Sequence, residues 1–286
     1  MTYRTASLCD FPPETNKTSV AFAQNFTVEC LRSDGHSSHK IASNHETILV
    51  VPEAAITLVS SEGSIDIPKR SLVIIPDGQY DIVFLTAGRT FALTTGRIKL
   101  EQSSTFEQDG SGPAQLDPRV KPIGKPFPKS ESADGGIRVY SVDDIPHPSG
   151  NPRLKFLQTS TMSINWVEYH GPRDRTKLSP HSHEYFEQGS LAITGDFIHH
   201  IRTPWGPNAD RWRDDQHITA PSDSLLVIPP ELTHTTEGVG NGHSVLVDVF
   251  APPRKDFISK GWMHNAADYI DPSDNVVAAD SNGHKA

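Results

Sequence analysis

The chain of 286 residues carries 26 basic and 35 acidic side chains, a formal net charge of −9, and only two cysteines. That length suits one large domain or two modest ones, with a core that needs no covalent staples. The acidic balance disfavours nucleic acid or an anionic membrane surface as partner, because no basic cluster runs longer than the scattered PRDRTK around Arg173 and Arg175. Cys9 and Cys30 are too few for a disulfide framework, lie in no CxxC pair and read as ordinary thiols. The opening MTYRTASLCDFPPETNK lacks the apolar core of a secretion signal, and no stretch of about 18 apolar residues occurs. The expected location is cytoplasmic, with no membrane partner.

Short β-branched runs then follow one another along the chain: TILVV from Thr47, AITLV from Ala55, SLVII from Ser71, DIVFLTA from Asp81 and FALTT from Phe91. After a gap come SLAIT from Ser190 and SLLVI from Ser224. Bounded by many of the 23 prolines and 20 glycines, these runs predict an all-β fold with few short helices. Residues 101–136, rich in Ser, Gly, Pro and charge, offer little to pack and predict a linker or surface excursion. Beyond Ala251, PPRKDFISKGWMHNAADY admits one short helix, and 271–286 is a polar stretch expected to be disordered.

One pattern occurs twice. SLVIIPDGQYD from Ser71 aligns with SLLVIPPELTH from Ser224: a buried strand, a proline, then a tight turn feeding the next strand. Glu46 to Pro76 spans 30 positions and Gln188 to Pro229 spans 41, so the second copy holds about eleven extra residues, placed within 202–216. A repeat this long means duplicated domains and not a solenoid. The expected division is a first barrel over 1–100, the linker over 101–136 and a second barrel over 137–270.

The stretch SPHSHEYFEQGSLAITG, Ser179 to Gly195, carries the chemistry. Read as a strand, it places His181, His183 and Tyr185 on one face, with the two imidazoles about 6–7 Å apart along the backbone. Two such rings converge on one ion if further donors come from elsewhere. His234, after the IPPELT turn, is the candidate third imidazole, and Gln188 or Glu187 the oxygen donor. Any one of these histidines alone reads as a polar residue lining a barrel mouth. The constellation reads as a site for one divalent transition metal, with Fe, Mn, Zn and Ni all admissible.

These residues resemble the cupin superfamily, whose first motif is Gly-x5-His-x-His-x3 or 4-Glu-x6-Gly and whose second is Gly-x5-Pro-x-Gly-x2-His-x3-Asn. His181 and His183 match the paired histidines, Gly195 the closing glycine, Pro229 the second-motif proline and His234 the third histidine. Gln188 meets both family spacings for the acidic ligand, with glutamine in its place, while Glu187 meets only the three-residue option. The second-motif glycine is replaced by Glu231 and its terminal asparagine by Gly238. In the first half, Glu46 and His39 fit two ligand positions, but Ile41 and Asp81 stand where the other histidines belong. The resemblance implies two cupin-type jelly-roll barrels in tandem, the first without a metal site, and a homodimer.

It also implies a metal-dependent enzyme acting on a small oxygenated organic acid or sugar acid, by dioxygenase, isomerase or lyase chemistry. The alternative is a non-catalytic cupin that binds a small ligand and keeps a structural metal. Three imidazoles and a carboxamide leave the ion's charge uncompensated, which favours a carboxylate-bearing ligand. Tyr185, Glu187 and His199 are the candidate proton carriers, and only one of His199 and His200 can face inward. Arg202, Trp205, Arg211 and Trp212 in the inserted loop are candidates for a lid over the cavity.

Overall fold

A computed structural model describes residues 4–96 and 116–271. In chain order, the first part contributes β1 (Ser7–Asp10), β2 (Thr18–Phe22), β3 (Phe26–Ser33), β4 (Ser38–Ser43), β5 (Thr47–Val51) and β6 (Ile56–Ser60). It continues with β7 (Gly63–Ile67), β8 (Ser71–Ile75), β9 (Gly78–Phe84) and β10 (Gly88–Thr95). After residue 115 come β11 (Arg138–Ser141), β12 (Leu154–Gln158), β13 (Ser163–His170), β14 (Gln188–Thr194) and β15 (Phe197–Arg202). The last strands are β16 (Gln216–Ala220), β17 (Ser224–Ile228), β18 (Thr233–Gly238) and β19 (His243–Phe250), followed by a single turn of helix, α1 (Lys255–Ser259). No helix among the described residues is long and apolar enough to cross a membrane.

The strands form two units of alike design. A six-stranded sheet, β11-β8-β5-β10-β3-β2, faces the four-stranded sheet β4-β9-β6-β7. A second six-stranded sheet, β1-β17-β14-β19-β13-β12, faces the three-stranded sheet β16-β15-β18. The architecture is two jelly-roll barrels in tandem, all-β with one short helix, as the turn-bounded runs predicted.

The continuous apolar runs follow from burial on both faces. In β5, Ile48 and Val50 point outward from the first barrel, and with Leu72, Ile74, Phe91 and Leu93 they pack on Leu191, Ile193, Leu225, Val227, Val245 and Val247 of the second. Leu49, Val51, Val73, Ile75, Ile82 and Phe84 point the other way and fill the first barrel. A strand apolar on both sides shows no alternation, so its residues read as one unbroken run.

Two strands lie across the expected division of the chain. β1 pairs with β17 of the second barrel, and β11 pairs with β8 of the first. β8 and β17 are the repeated SLVII and SLLVI, so each copy of the repeat takes its edge partner from the other half. The residue ahead of each, Arg70 and Asp223, adopts a left-handed backbone, and each reaches across the barrel interface. Arg70 donates to Glu168, and Asp223 pairs with Arg32 and Arg89. The first part of the expected linker, 101–115, lies outside the described residues, as does 272–286. Residues 116–136 make no strand but are anchored, with Asp117, Val120 and Phe127 buried and Phe127 N–H donating to Ser160 O at 2.8 Å.

Candidate metal centre

The two barrels differ in what fills them. The first is packed with aliphatic side chains. Its sequence candidates for a ligand set are dispersed: His39 bonds Thr18 and the carbonyl of Arg32, Glu46 is held by Arg138, Lys129 and Tyr269, Asp81 pairs with Lys40, and Ile41 is core. The second has smaller apolar clusters among the described residues, and beside one of them lies a cavity of about 470 Å³ lined in part by His181, Gln188, Asn165, Asp248 and Arg254.

The histidine stretch departs from its expected form. Residues 181–187 are not a strand: His181 makes one isolated bridge to His234, the chain bends at Glu184 and Tyr185, and regular pairing begins only at Gln188. His181 and His234 exchange backbone hydrogen bonds of 3.0 and 2.7 Å, and Glu231 N–H donates to His183 O at 2.6 Å. These bonds, and not strand parity, bring the three rings together, with centroids 4.5 to 5.1 Å apart. Of the groups of three or more His, Cys, Asp and Glu among the described residues, His181, His183 and His234 alone bring their ligand atoms within 4.8 Å of one another.

The turn that presents His234 explains one departure from the cupin motif. Glu231, in the place of the motif's glycine, has φ of +69°, so the left-handed backbone that glycine would serve is kept by a residue less suited to it. Gly238, in the place of the motif's asparagine, packs against Tyr169, whose hydroxyl lies 1.9 Å from where a Cβ would be. No larger residue fits there with Tyr169 in position. Gly195, the closing glycine, has φ of +102° at the turn between β14 and β15.

Strand parity decides between the two oxygen donors. Gln188, Ser190 and Ala192 face the barrel interior, whereas Leu191 and Ile193 face the other barrel. Glu187 is on the far side, bonded to Arg4 and to Gln24 N–H at 2.6 Å, and burial pushes its carboxyl up. Gln188 places Oε1 2.9 Å from His183 Nε2 and 3.1 Å from His234 Nε2. Its amide nitrogen donates to Asp248 Oδ1 and Ser190 Oγ, both at 3.0 Å.

These bonds set the protons. His234 Nδ1 is 2.9 Å from Leu232 O and His181 Nδ1 is 3.0 Å from Ser179 O, and a carbonyl only accepts, so each Nδ1 carries the hydrogen. Burial pulls His234 down to about 4 and, with the Arg254 charge second, His183 down to about 3, so both rings are neutral at ordinary pH. In His234 the lone pair is then on Nε2, facing an amide oxygen that is also an acceptor. Two acceptors 3.1 Å apart with no proton between them repel, and a cation against both removes the repulsion. The donor set of three imidazoles and one oxygen therefore fits a divalent transition metal.

Of the expected proton carriers, the structure brings only His199 near the cluster. It is fully buried, bonds Thr236 Oγ1 at 2.9 Å, leaves Nε2 without a partner, and burial pulls it down to about 3. His200 faces out, bonded to His217 and Glu237. Tyr185 does not line the cavity, because the bend before it breaks the alternation and its ring lies under Lys121 Nζ. Glu187 is likewise turned away. The inserted loop is not a lid over this cavity: Trp205 and Trp212 stack on each other at 4.6 Å, Arg202 pairs with Asp215, and Arg211 lines a separate cavity of about 510 Å³.

The sequence reading missed Asp248, Asn165 and the cavity's cations. Asp248 was legible as the lone carboxylate in the run SVLVDVF, and Asn165 stands opposite it in the register. Arg153, Arg173, Arg254 and Lys260 flank strands or follow them, and nothing local marks them as converging.

A pair of jelly-roll barrels with a histidine cluster in one of them is the cupin type of fold. No protein-family model matches the chain, and no curated protein is similar to it in sequence. Solved structures share the fold. An IolB-like protein of Salmonella typhimurium aligns with a TM-score of 0.56 at 11% identity, over 86% of this chain and 93% of that one. AerE of Microcystis aeruginosa aligns at 0.54 and 9%, over 87% and 98%. Bacillus subtilis oxalate decarboxylase, studied for its Mn(II) centres, aligns at 0.52 and 13%, over 88% and 78%.

Proposed function

We propose that the chain is a metal-dependent enzyme acting on a small carboxylate-bearing organic acid or sugar acid, with His181, His183, Gln188 and His234 holding one divalent transition metal. The observation that carries this reading is the convergence of the His181, His183 and His234 imidazoles, with the Gln188 amide oxygen within 3.1 Å of the latter two and no proton between that oxygen and His234, beside a cavity of about 470 Å³. The likeness to proteins that include an oxalate decarboxylase with Mn(II) centres supports it. Bound there, the ion supplies Lewis acidity to an oxygen of the ligand.

The chain's own residues bind and orient. Four neutral donors leave the ion's charge to be met by the ligand, which favours an anion. Asp248 holds the Gln188 amide so that its oxygen faces the histidines. Arg254, gripped by Asp256 through two bonds of 2.7 Å and lying 4.0 Å over the Phe257 ring, presents a fixed ion pair at the cavity wall, and Phe156, Phe257 and Trp262 exclude water beside it.

Bound transition metals in the full chain, purified without added metal, test the proposal by plasma mass spectrometry, with a His181→Ala/His234→Ala double variant alongside. About one ion per chain, lost in the variant, is the expected result. No metal, or metal untouched by the variant, refutes the site. A loaded protein in which no carboxylic acid perturbs the metal's spectrum leaves a structural metal in a non-catalytic barrel.

A further inference from the structure

The cavity beside the histidines has a second polar end. Arg153, just ahead of β12, and Arg173, just after β13, both line it. They gather around one ring. Arg153 lies 5.8 Å from the centroid of Tyr169, and both positive charges act against the upward push of burial on its phenol. Among the described residues neither guanidinium has a carboxylate partner. Arg173 is steadied by one bond of 2.6 Å to Thr236 O, while the Arg153 guanidinium donates to no described protein atom. Burial first, and the Arg153 charge second, push Arg173 below the ordinary arginine value. The charges of Asp248 and Glu237 act the other way on Arg173 but neither carboxylate touches it, so two neighbouring guanidinium groups with no direct carboxylate contact line a half-enclosed cavity and can take an anion.

Position determines what that anion belongs to. Asn165 stands opposite Asp248 in the register, and Tyr169 lies four residues further along β13. The Tyr169 backbone, and Arg153 against its ring, is therefore displaced by roughly 13 Å along the sheet from the level of Asp248, while the Arg173 guanidinium reaches back to Thr236 O, two residues from His234. Between the two ends the cavity wall is apolar, formed by Leu154, Val167 and Leu246. An extended acid that reaches from the histidines to Arg153 can lay its carbon chain on that wall.

We propose that Arg153 and Arg173 bind a second carboxylate, so that the ligand of this cavity is an extended diacid with one oxygen-bearing end at the histidines and the other at the arginine pair. The proposal rests on the metal-site reading for one end only. The other end is read separately.

Calorimetric titration of the full chain, metal-free and Mn(II)-loaded, with the series from oxalate to suberate and with octanoate as a one-ended control, tests it. Suberate is expected to bind the loaded protein about tenfold or more tightly than octanoate or oxalate, and Arg153→Gln to remove that advantage. Arg153→Gln suits the test because the native guanidinium holds no hydrogen bond whose loss would unfold the chain, and the variant should retain wild-type metal content. Equal binding of suberate and octanoate, an advantage unchanged in Arg153→Gln, or no diacid binding at any length overturns the proposal. If the protein takes up no Mn(II), that ion alone is excluded and the metal reading stands or falls on the metal analysis of the purified chain, while suberate is still expected to bind the metal-free chain in an Arg153-dependent way.

Discussion

Gln188 donates its amide nitrogen to Asp248 Oδ1 at 3.0 Å, and that bond decides which end of the amide faces the histidines. Asp248 Oδ1 also accepts from Ser190 Oγ at 2.9 Å, so that oxygen is an acceptor here, and the amide nitrogen turns to it while the amide oxygen faces His183 and His234. Asp248→Ala removes the acceptor and lets the amide rotate. Metal retention, read by chelator competition, is expected to fall about 10- to 100-fold. Asp248→Asn keeps a side-chain oxygen and should recover most of the loss. An alanine variant that holds metal as tightly as the wild type would show that the amide needs no such support.

His199 gives stability a pH dependence of known sign. Burial pulls its folded value from 6.5 down to about 3, so the folded ring stays neutral while the unfolded chain takes up a proton near 6.5. The stabilisation is present above that value and is lost as pH falls towards 3. Between neutral pH and pH 5 the loss is about 2 kcal/mol for this one group. Urea unfolding at the two pH values should show a drop in stability that is smaller by that amount in His199→Leu. An equal drop in both proteins would contradict the assignment.

Glu231 tests the backbone reading of the turn. With φ of +69° and only a 3.9 Å approach to Arg119 as its ion pair, it has more to gain from losing its Cβ than to lose in contacts. Glu231→Gly is expected to raise stability by about 1 kcal/mol in chemical denaturation. A destabilised variant would mean that the carboxylate, and not the backbone, holds the turn.

Gly238 and Tyr169 should behave as a coupled pair. A Cβ at Gly238 would meet the Tyr169 hydroxyl at 1.9 Å and its ring at 2.7 Å, so Gly238→Ala is expected to cost about 1–3 kcal/mol. In a Tyr169→Ala background the same change should cost little. Additive costs in the double-mutant cycle would refute the contact.

How much was legible in advance follows from where each signal lies. TILVV and SLVII announced buried strands because burial on both faces leaves no polar position to confuse the pattern. The paired histidines and the IPPELT turn were legible through spacing alone, which is why His181, His183 and His234 were singled out together. The face of Tyr185 was misread because a bend at Glu184 and Tyr185 has no composition signal, and one irregular step reverses every later side chain. The inserted loop looked like a lid because arginine and tryptophan suit one, yet stacking of Trp205 on Trp212 satisfies those rings locally.

By itself the sequence determined the all-β class, the repeated strand-proline-turn unit and the residues able to ligate a metal, since these depend on neighbours a few positions apart. Only the tertiary structure decided that Gln188 and not Glu187 faces the histidines, that β1 and β11 cross between the barrels, and that Arg153 and Arg173 meet beside Tyr169. Those outcomes depend on register and on the packing of one sheet against another. They join residues far apart in the chain, for which local spacing carries no information.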